Sequence, residues 1–248
     1  MTSLYPITIH RYDSAEPMGR RAGEHAARLI HDAQTRNGRA RVMLAAAPSQ
    51  APTLAALADA VSLIDFARVD FFHMDDYIGL PPDAPQGFGN WLDRTFFDRV
   101  PATTFRRIDT SLAPDHAAAR YAEVLGDEPF DVTLCGLGVN GHLAFNDPPA
   151  DFHDQQSARV IVLDEVSRQQ QVDEGHFPDL ASVPTNAITV TIPRLLKTAH
   201  VICSVIGTAK RKAVSDVIGN DPDPNLPGTA LKLHPDAHLY VDSEAYHV

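Results

Sequence analysis

Two cysteines in 248 residues are too few for a disulfide framework, and both Cys135 and Cys203 sit inside apolar, β-branched runs. In that setting they read as reduced, buried small hydrophobes. No apolar stretch approaches the ~20 residues that cross a bilayer, and Met1-Thr-Ser-Leu-Tyr-Pro6 lacks the basic and apolar regions of a secretory signal. A cytoplasmic protein with no membrane partner is expected. Basic tracts are missing too: with a formal charge of −11 there is no electrostatic footprint for nucleic acid. A small anionic substrate stays open, because a few local cations can dominate one pocket. Nor is there a Pro/Gly/Ser-rich linker or an internal repeat, so residues 1–248 read as one domain. The twelve histidines are scattered along the chain without a His/Cys ligand pattern, and neither a metal nor a cofactor is expected.

What is present is an alternation of strand and helix patterns. Ser14 to Asn37 carries Ala22, His25, Ala26 and Leu29 at helical spacing, with Arg20, Arg21, Glu24 and Arg28 on the polar side. Arg41–Ala47 reads as a strand, and Leu54, Leu57, Ala58 and Val61 as the buried stripe of the next helix. A strand ending at Met74 follows, then a helix over Gly89–Arg99, a short strand at Arg107–Asp109 and a helix from Asp115 to Leu125. Phe130–Cys135, Arg159–Leu163, Ala187–Ile192 and His200–Ile206 are further strand candidates, and Thr208–Ile218 is helical. Such alternation predicts a doubly wound α/β protein with a mostly parallel sheet.

Two segments carry chemistry. Cys135-Gly-Leu-Gly-Val-Asn-Gly-His-Leu-Ala-Phe-Asn-Asp-Pro148 breaks from an apolar strand into glycines, amides, His142 and Asp147. Gly136 and Gly138 are expected to let backbone turn sharply and approach a ligand beside the strand's carboxyl end. Val69-Asp-Phe-Phe-His-Met-Asp-Asp-Tyr-Ile-Gly-Leu80 likewise runs from a hydrophobic strand into two adjacent carboxylates, Asp75 and Asp76.

Together these segments resemble the glucosamine-6-phosphate deaminase (isomerase) family. That family pairs Met-Asp-(Glu/Asp)-Tyr-(Val/Ile)-Gly-Leu-Pro with a Gly-x-Gly-x-Asp-Gly-His-(Ile/Leu)-Ala-Phe-Asn-(Glu/Asp)-Pro loop. Leu231-Lys-Leu-His-Pro235 is similar to its carboxy-terminal Leu-x-Leu-His-Pro element. Three matches in register are far more specific than one glycine pattern. The resemblance implies a Rossmann-like sandwich of the ribose-5-phosphate isomerase/CoA transferase kind, with the site at the edge that receives Asp75, Gly136 and Gly207. It also implies a hexosamine phosphate as the small-molecule partner, in a family whose members range from monomers to homo-oligomers.

The resemblance further implies residue roles. Asp75 would move the C2 proton, with Asp76 beside it at the substrate. His142 would handle protons in ring opening, with Asp147 orienting the ring. Asn140 departs from the pattern, which has Asp there: an amide can position His142 but cannot offset positive charge on the imidazole. For the phosphate, Gly207-Thr-Ala-Lys210 preserves the Gly-x-x-Lys element. The first phosphate turn, normally rich in Gly and Thr, is Ala47-Pro-Ser-Gln-Ala-Pro52 here, where Ser49 and Gln50 either hold an anion or, for Ser49, cap a helix. Arg168 is the arginine available in the segment where the family supplies one, although a carboxylate could occupy the matching position. Two rivals stay open: a lactone hydrolase like the 6-phosphogluconolactonases, whose Gly-His loop continues differently from Leu143–Pro148, and a noncatalytic sugar-phosphate sensor.

Overall fold

The computed structural model describes residues 4–101 and 103–246. In chain order the elements are β1 (Thr8–Tyr12), α1 (Ala15–Asn37), β2 (Ala40–Leu44), α2 (Ala51–Ala58), β3 (Val69–His73), β4 (Asp75–Tyr77), α3 (Phe88–Thr95), β5 (Thr104–Arg106) and α4 (Pro114–Leu125). There follow β6 (Phe130–Cys135), β7 (Ala158–Val162), α5 (Glu165–Asp173), β8 (Asn186–Val190), α6 (Ile192–Leu195), β9 (Thr198–Val205), α7 (Arg211–Gly219) and β10 (Ala237–Asp242). Seven strands form one sheet in the order β1-β10-β9-β6-β2-β3-β5, every neighbouring pair parallel.

Alternate residues of each central strand feed opposite faces, as the period of two requires. Val42 and Leu44 join Met18, Ala22, Ala26 and Ile30 of α1 and Leu54 and Leu57 of α2 in one apolar layer. Met43, between them, packs in the other layer with Tyr121 and Leu125 of α4 and Val214 and Val217 of α7. Two buried faces explain why these strands read as continuous hydrophobic runs. Cys135 and Cys203 stand opposite one another in β6 and β9, both buried and unbridged. Among the described residues no helix is long and apolar enough to cross a membrane.

Four sequence expectations need correction. Arg159–Leu163 and Ala187–Ile192 do form strands, but they leave the parallel sheet and pair antiparallel with the three-residue β4 in a second sheet, order β4-β8-β7. Apolar, β-branched composition specifies an extended, buried segment and not its partner. The short strand expected at Arg107–Asp109 lies earlier, at Thr104–Arg106, and the helix expected over Gly89–Arg99 ends at Thr95 before a separate turn. Val61 lies beyond the end of α2 and is 55% exposed, outside the buried stripe. The edge strand β1 and its neighbour β10 escaped the sequence reading because His10, Arg11 and His238 interrupt their apolar pattern.

Candidate active site

The second sheet decides where the first one ends chemically. Met74 links β3 to β4: its N–H donates to the Leu44 carbonyl in the parallel layer (3.2 Å), and its own carbonyl accepts from Val190 N–H (2.7 Å). Asp75 is therefore the first residue of β4, opposite Thr189 of β8, at the junction of both sheets. Beside it opens a cleft over the carboxyl ends of β2, β3, β6 and β9, lined among others by Ser49, Gln50, Asp75, Gly136, Gly138, His142, Gln170, Gln171 and Lys210. Such a position is where open α/β sheets bind ligands.

Asp75 is 6% exposed. Burial first, then the nearby charges of Asp76 and Asp147, push its carboxyl well above the usual range, and no hydrogen bond offsets them. It is a carboxyl group made basic by its surroundings.

Asp147 is the opposite case. Its Oδ1 accepts from Asn140 Nδ2 (2.9 Å), His142 Nδ1 (3.0 Å) and Ser167 Oγ, and its Oδ2 from the Asp164 N–H (3.2 Å). Burial opposes ionisation here too, yet the bonds and charge of His142, with the donors from Asn140 and Ser167, bring the carboxyl down to about 2. With Nδ1 of His142 committed to Asp147 and Ser167, Nε2 is the ring nitrogen left to face a substrate. Asn140 works from behind: its Oδ1 accepts the His142 N–H (3.1 Å) while its amide nitrogen serves Asp147. Its contact is with the carboxylate and the backbone, not with the imidazole.

Gly136 and Gly138 both line the cleft, and each also leaves space that another side chain fills. A Cβ on Gly138 would lie 2.3 Å from the His142 ring, and one on Gly136 would lie 2.7 Å from Gln50 Nε2. The close approach these positions permit is between parts of the protein: Gly138 makes room for the imidazole, and Gly136 for the Gln50 amide. Gln50 in turn is a strut, donating to the Ser204 carbonyl (3.0 Å) and to Ser49 Oγ (3.3 Å). Ser49 makes no helix-capping bond and stays at the cleft wall. Lys210 reaches the cleft from the turn before α7. It is 7% exposed, and burial lowers its ammonium pKa against the opposing pull of Glu174.

Two expected substrate ligands are not in the cleft. Asp76 accepts the N–H groups of Tyr77 (2.9 Å), Phe88 (2.9 Å) and Gly89 (3.0 Å), fastening the start of α3 to β4. A carboxylate at a helix N-terminus satisfies donors that would otherwise be buried and unpaired. Arg168 turns away as well, its guanidinium donating to the carbonyls of Leu180 (2.6 Å) and Val183 (3.0 Å). It ties α5 to the loop that follows, at the carbonyls of Leu180 and Val183.

The family model for glucosamine-6-phosphate isomerases/6-phosphogluconolactonase matches residues 13–240. The chain belongs to that family. It is 30% identical over 189 residues to a glucosamine-6-phosphate deaminase of Streptococcus sanguinis (strain SK36), a match covering 73% of this chain and 76% of that one. It is 30% identical over 191 residues to the corresponding deaminase of Streptococcus pneumoniae (strain 70585), covering 74% and 77%. Among solved structures, a monomeric glucosamine-6-phosphate deaminase superposes with a TM-score of 0.86 at 26% identity, over 96% of this chain and 98% of that one. A 6-phosphogluconolactonase from Shewanella baltica OS155 gives 0.78 at 16% identity over 97% and 99%, a likeness of fold.

Within this isomerase/lactonase family, several residues that shape the site were not among the site candidates read from the sequence. Ser167, fully buried, bridges His142 and Asp147. Asn146 donates to the Leu143 and Val190 carbonyls (2.8 and 2.9 Å), and Thr189 Oγ1 accepts the Phe145 N–H (3.1 Å), so β8 holds both the His142 loop and Asp75. Gln170 and Gln171 reach the cleft from α5. A polar run, Ser167–Gln171, looks like solvated surface until the fold buries one of its faces. The third motif is structural: His234 Nε2 bonds the Thr198 carbonyl (2.9 Å) and its Nδ1 accepts the Asp236 N–H (3.1 Å).

Proposed function

We propose that this protein is an aldose–ketose isomerase with deamination, converting glucosamine 6-phosphate and water to fructose 6-phosphate and ammonia. The observation that carries the reading is the pairing, in one cleft, of a carboxyl without hydrogen-bond donors and a histidine backed by a saturated carboxylate. His142 Nε2 exchanges a proton between the anomeric hydroxyl and the ring oxygen, while Asp147 stabilises the imidazolium that forms. Asp75 then moves the proton from C2 to C1. Its raised pKa makes it a stronger base than an ordinary carboxylate, and the substrate's ammonium group on C2 favours the carboxylate form as it approaches. Loss of the nitrogen at C2, with water supplying the ketone oxygen, completes the balance.

Lys210 and Ser49 would hold the phosphate end. Lys210→Ala should weaken binding of the phosphorylated sugar by ~1.5–3 kcal/mol, the range for a charge-assisted hydrogen bond. The unphosphorylated sugar should bind as before, and equal losses in calorimetry would remove Lys210 from that role. The deciding experiment for the activity is ammonia release across phosphorylated and free hexosamines. Release from glucosamine 6-phosphate supports the isomerase. No release, together with hydrolysis of 6-phosphogluconolactone, would move the chain to the other branch of its family, and binding without turnover would make it a sensor. The cytoplasm as its compartment and assembly with further copies of this chain belong to the same proposal.

A further inference from the structure

Lys210 is the only lysine or arginine lining the cleft among the described residues, and it is not free. Glu174 Oε1 lies 3.7 Å from its Nζ. That carboxylate is held in place: Gln170 Nε2 donates to Glu174 Oε1 (2.7 Å), and Gln170 Oε1 accepts the Val139 N–H (3.0 Å), which fixes which end of the amide faces Glu174. Glu174 also caps the carboxyl end of α5, next to Asp173. Negative charge is unfavourable at that end of a helix, so local helix energetics do not account for it. On its far side His176 Nε2 stands 3.8 Å from the second carboxylate oxygen. A side crevice there is lined by Trp91, Gln86 and His176. The carboxylate thus has one partner inside the cleft and another outside it.

We propose that Glu174 is a specificity-determining residue for the anion end: it occupies Lys210 in the free protein, and a substrate phosphate binds by displacing it toward His176. The inference rests on reading the cleft as a sugar-phosphate site. A phosphate dianion meets Lys210 already neutralised and a like charge a few ångströms away, whereas a hydroxyl at the same place meets no repulsion. Glu174 therefore narrows the preference for phosphorylated over free sugar below what Lys210 alone would give.

The test compares the protein with Glu174→Gln, which keeps size and hydrogen bonding, and with Glu174→Ala. The probes are inorganic phosphate and unphosphorylated glucosamine, titrated by calorimetry at low salt. Removing a unit charge across a partly hydrated cleft should tighten phosphate binding roughly tenfold in both variants. Glucosamine should shift by less than about twofold, since its neutral end has no charge for Glu174 to repel. The phosphate gain should shrink with added salt. Unchanged or weakened phosphate binding in both variants overturns the inference, as does equal tightening of both ligands, which would mark Glu174 as merely structural. Because inorganic phosphate is not a substrate, the outcome is independent of ammonia release. A parent that releases ammonia but whose variants bind phosphate as it does would sink this inference alone.

Discussion

Asp75 lines the cleft and Asp147 stands behind its histidine; the two share a residue type, and the fold drives them apart. Both are buried, and burial raises the pKa of each. At Asp147 four donors overcome it; at Asp75 none does. Burial alone therefore does not set the protonation of a carboxyl group. The number of hydrogen bonds offered to its charged form does, and two carboxylates made different in this way can divide acid and base work between them.

The largest expected effect that could break this contrast is on turnover. Asp75→Asn keeps shape but removes basicity, so substrate should bind within a few-fold while turnover falls by ~10²–10⁴. Exchange of the C2 hydrogen with deuterated water should stop along with ammonia release. A variant that binds normally and still exchanges at near the parent rate would deny Asp75 its role.

Next in size is stability against pH, where the two residues should act with opposite sign. Asp147 ionises at about 2 in the folded protein against 3.8 when unperturbed. Its carboxylate thus contributes about 2 kcal/mol above pH 4, lost as pH falls toward 2. Asp147→Asn should destabilise the protein by about that amount at pH 7 and by progressively less toward pH 2. Asp75, with its pKa raised, favours the fold only while protonated, so its contribution is lost as pH climbs above 3.8. Asp75→Asn should melt higher than the parent at neutral pH, with the gap closing in acid. Thermal melts across pH give both signs, and the same sign for the two variants would refute the contrast.

The smallest effect sharpens the account of Asn140. Replacing it with Asp removes a donor from Asp147 and sets two carboxylates in contact, so the Asp147 carboxyl should rise from its low value. The acidic limb of the pH–rate profile should move upward by about one unit. A limb that does not move would mean that Asn140 contributes nothing to the environment of the pair.

Much of this was legible in the chain itself. Apolar runs at strand spacing and glycine-punctuated loops specified the central strands, and Asp75, His142, Asp147 and Lys210 stand where such strands deliver residues to a common edge. Asp76 and Arg168 show where reading stopped. Each is the residue type a substrate site wants, but the fold spends one on the start of α3 and the other on two loop carbonyls.

Sequence by itself determined the central strands and the main helices, most of their apolar faces and which titratable groups could meet, since these follow from local pattern. Only the tertiary structure decided that β7 and β8 form a separate antiparallel layer with β4, that Ser167 and Asn140 serve Asp147 while Asp75 receives no donor, and that Glu174 neutralises Lys210. The physical reason is one of range. Secondary structure is set by neighbours a few residues apart, whereas the charge state of a buried carboxyl is set by donors from residues up to twenty positions away, and those are fixed only when the chain has packed.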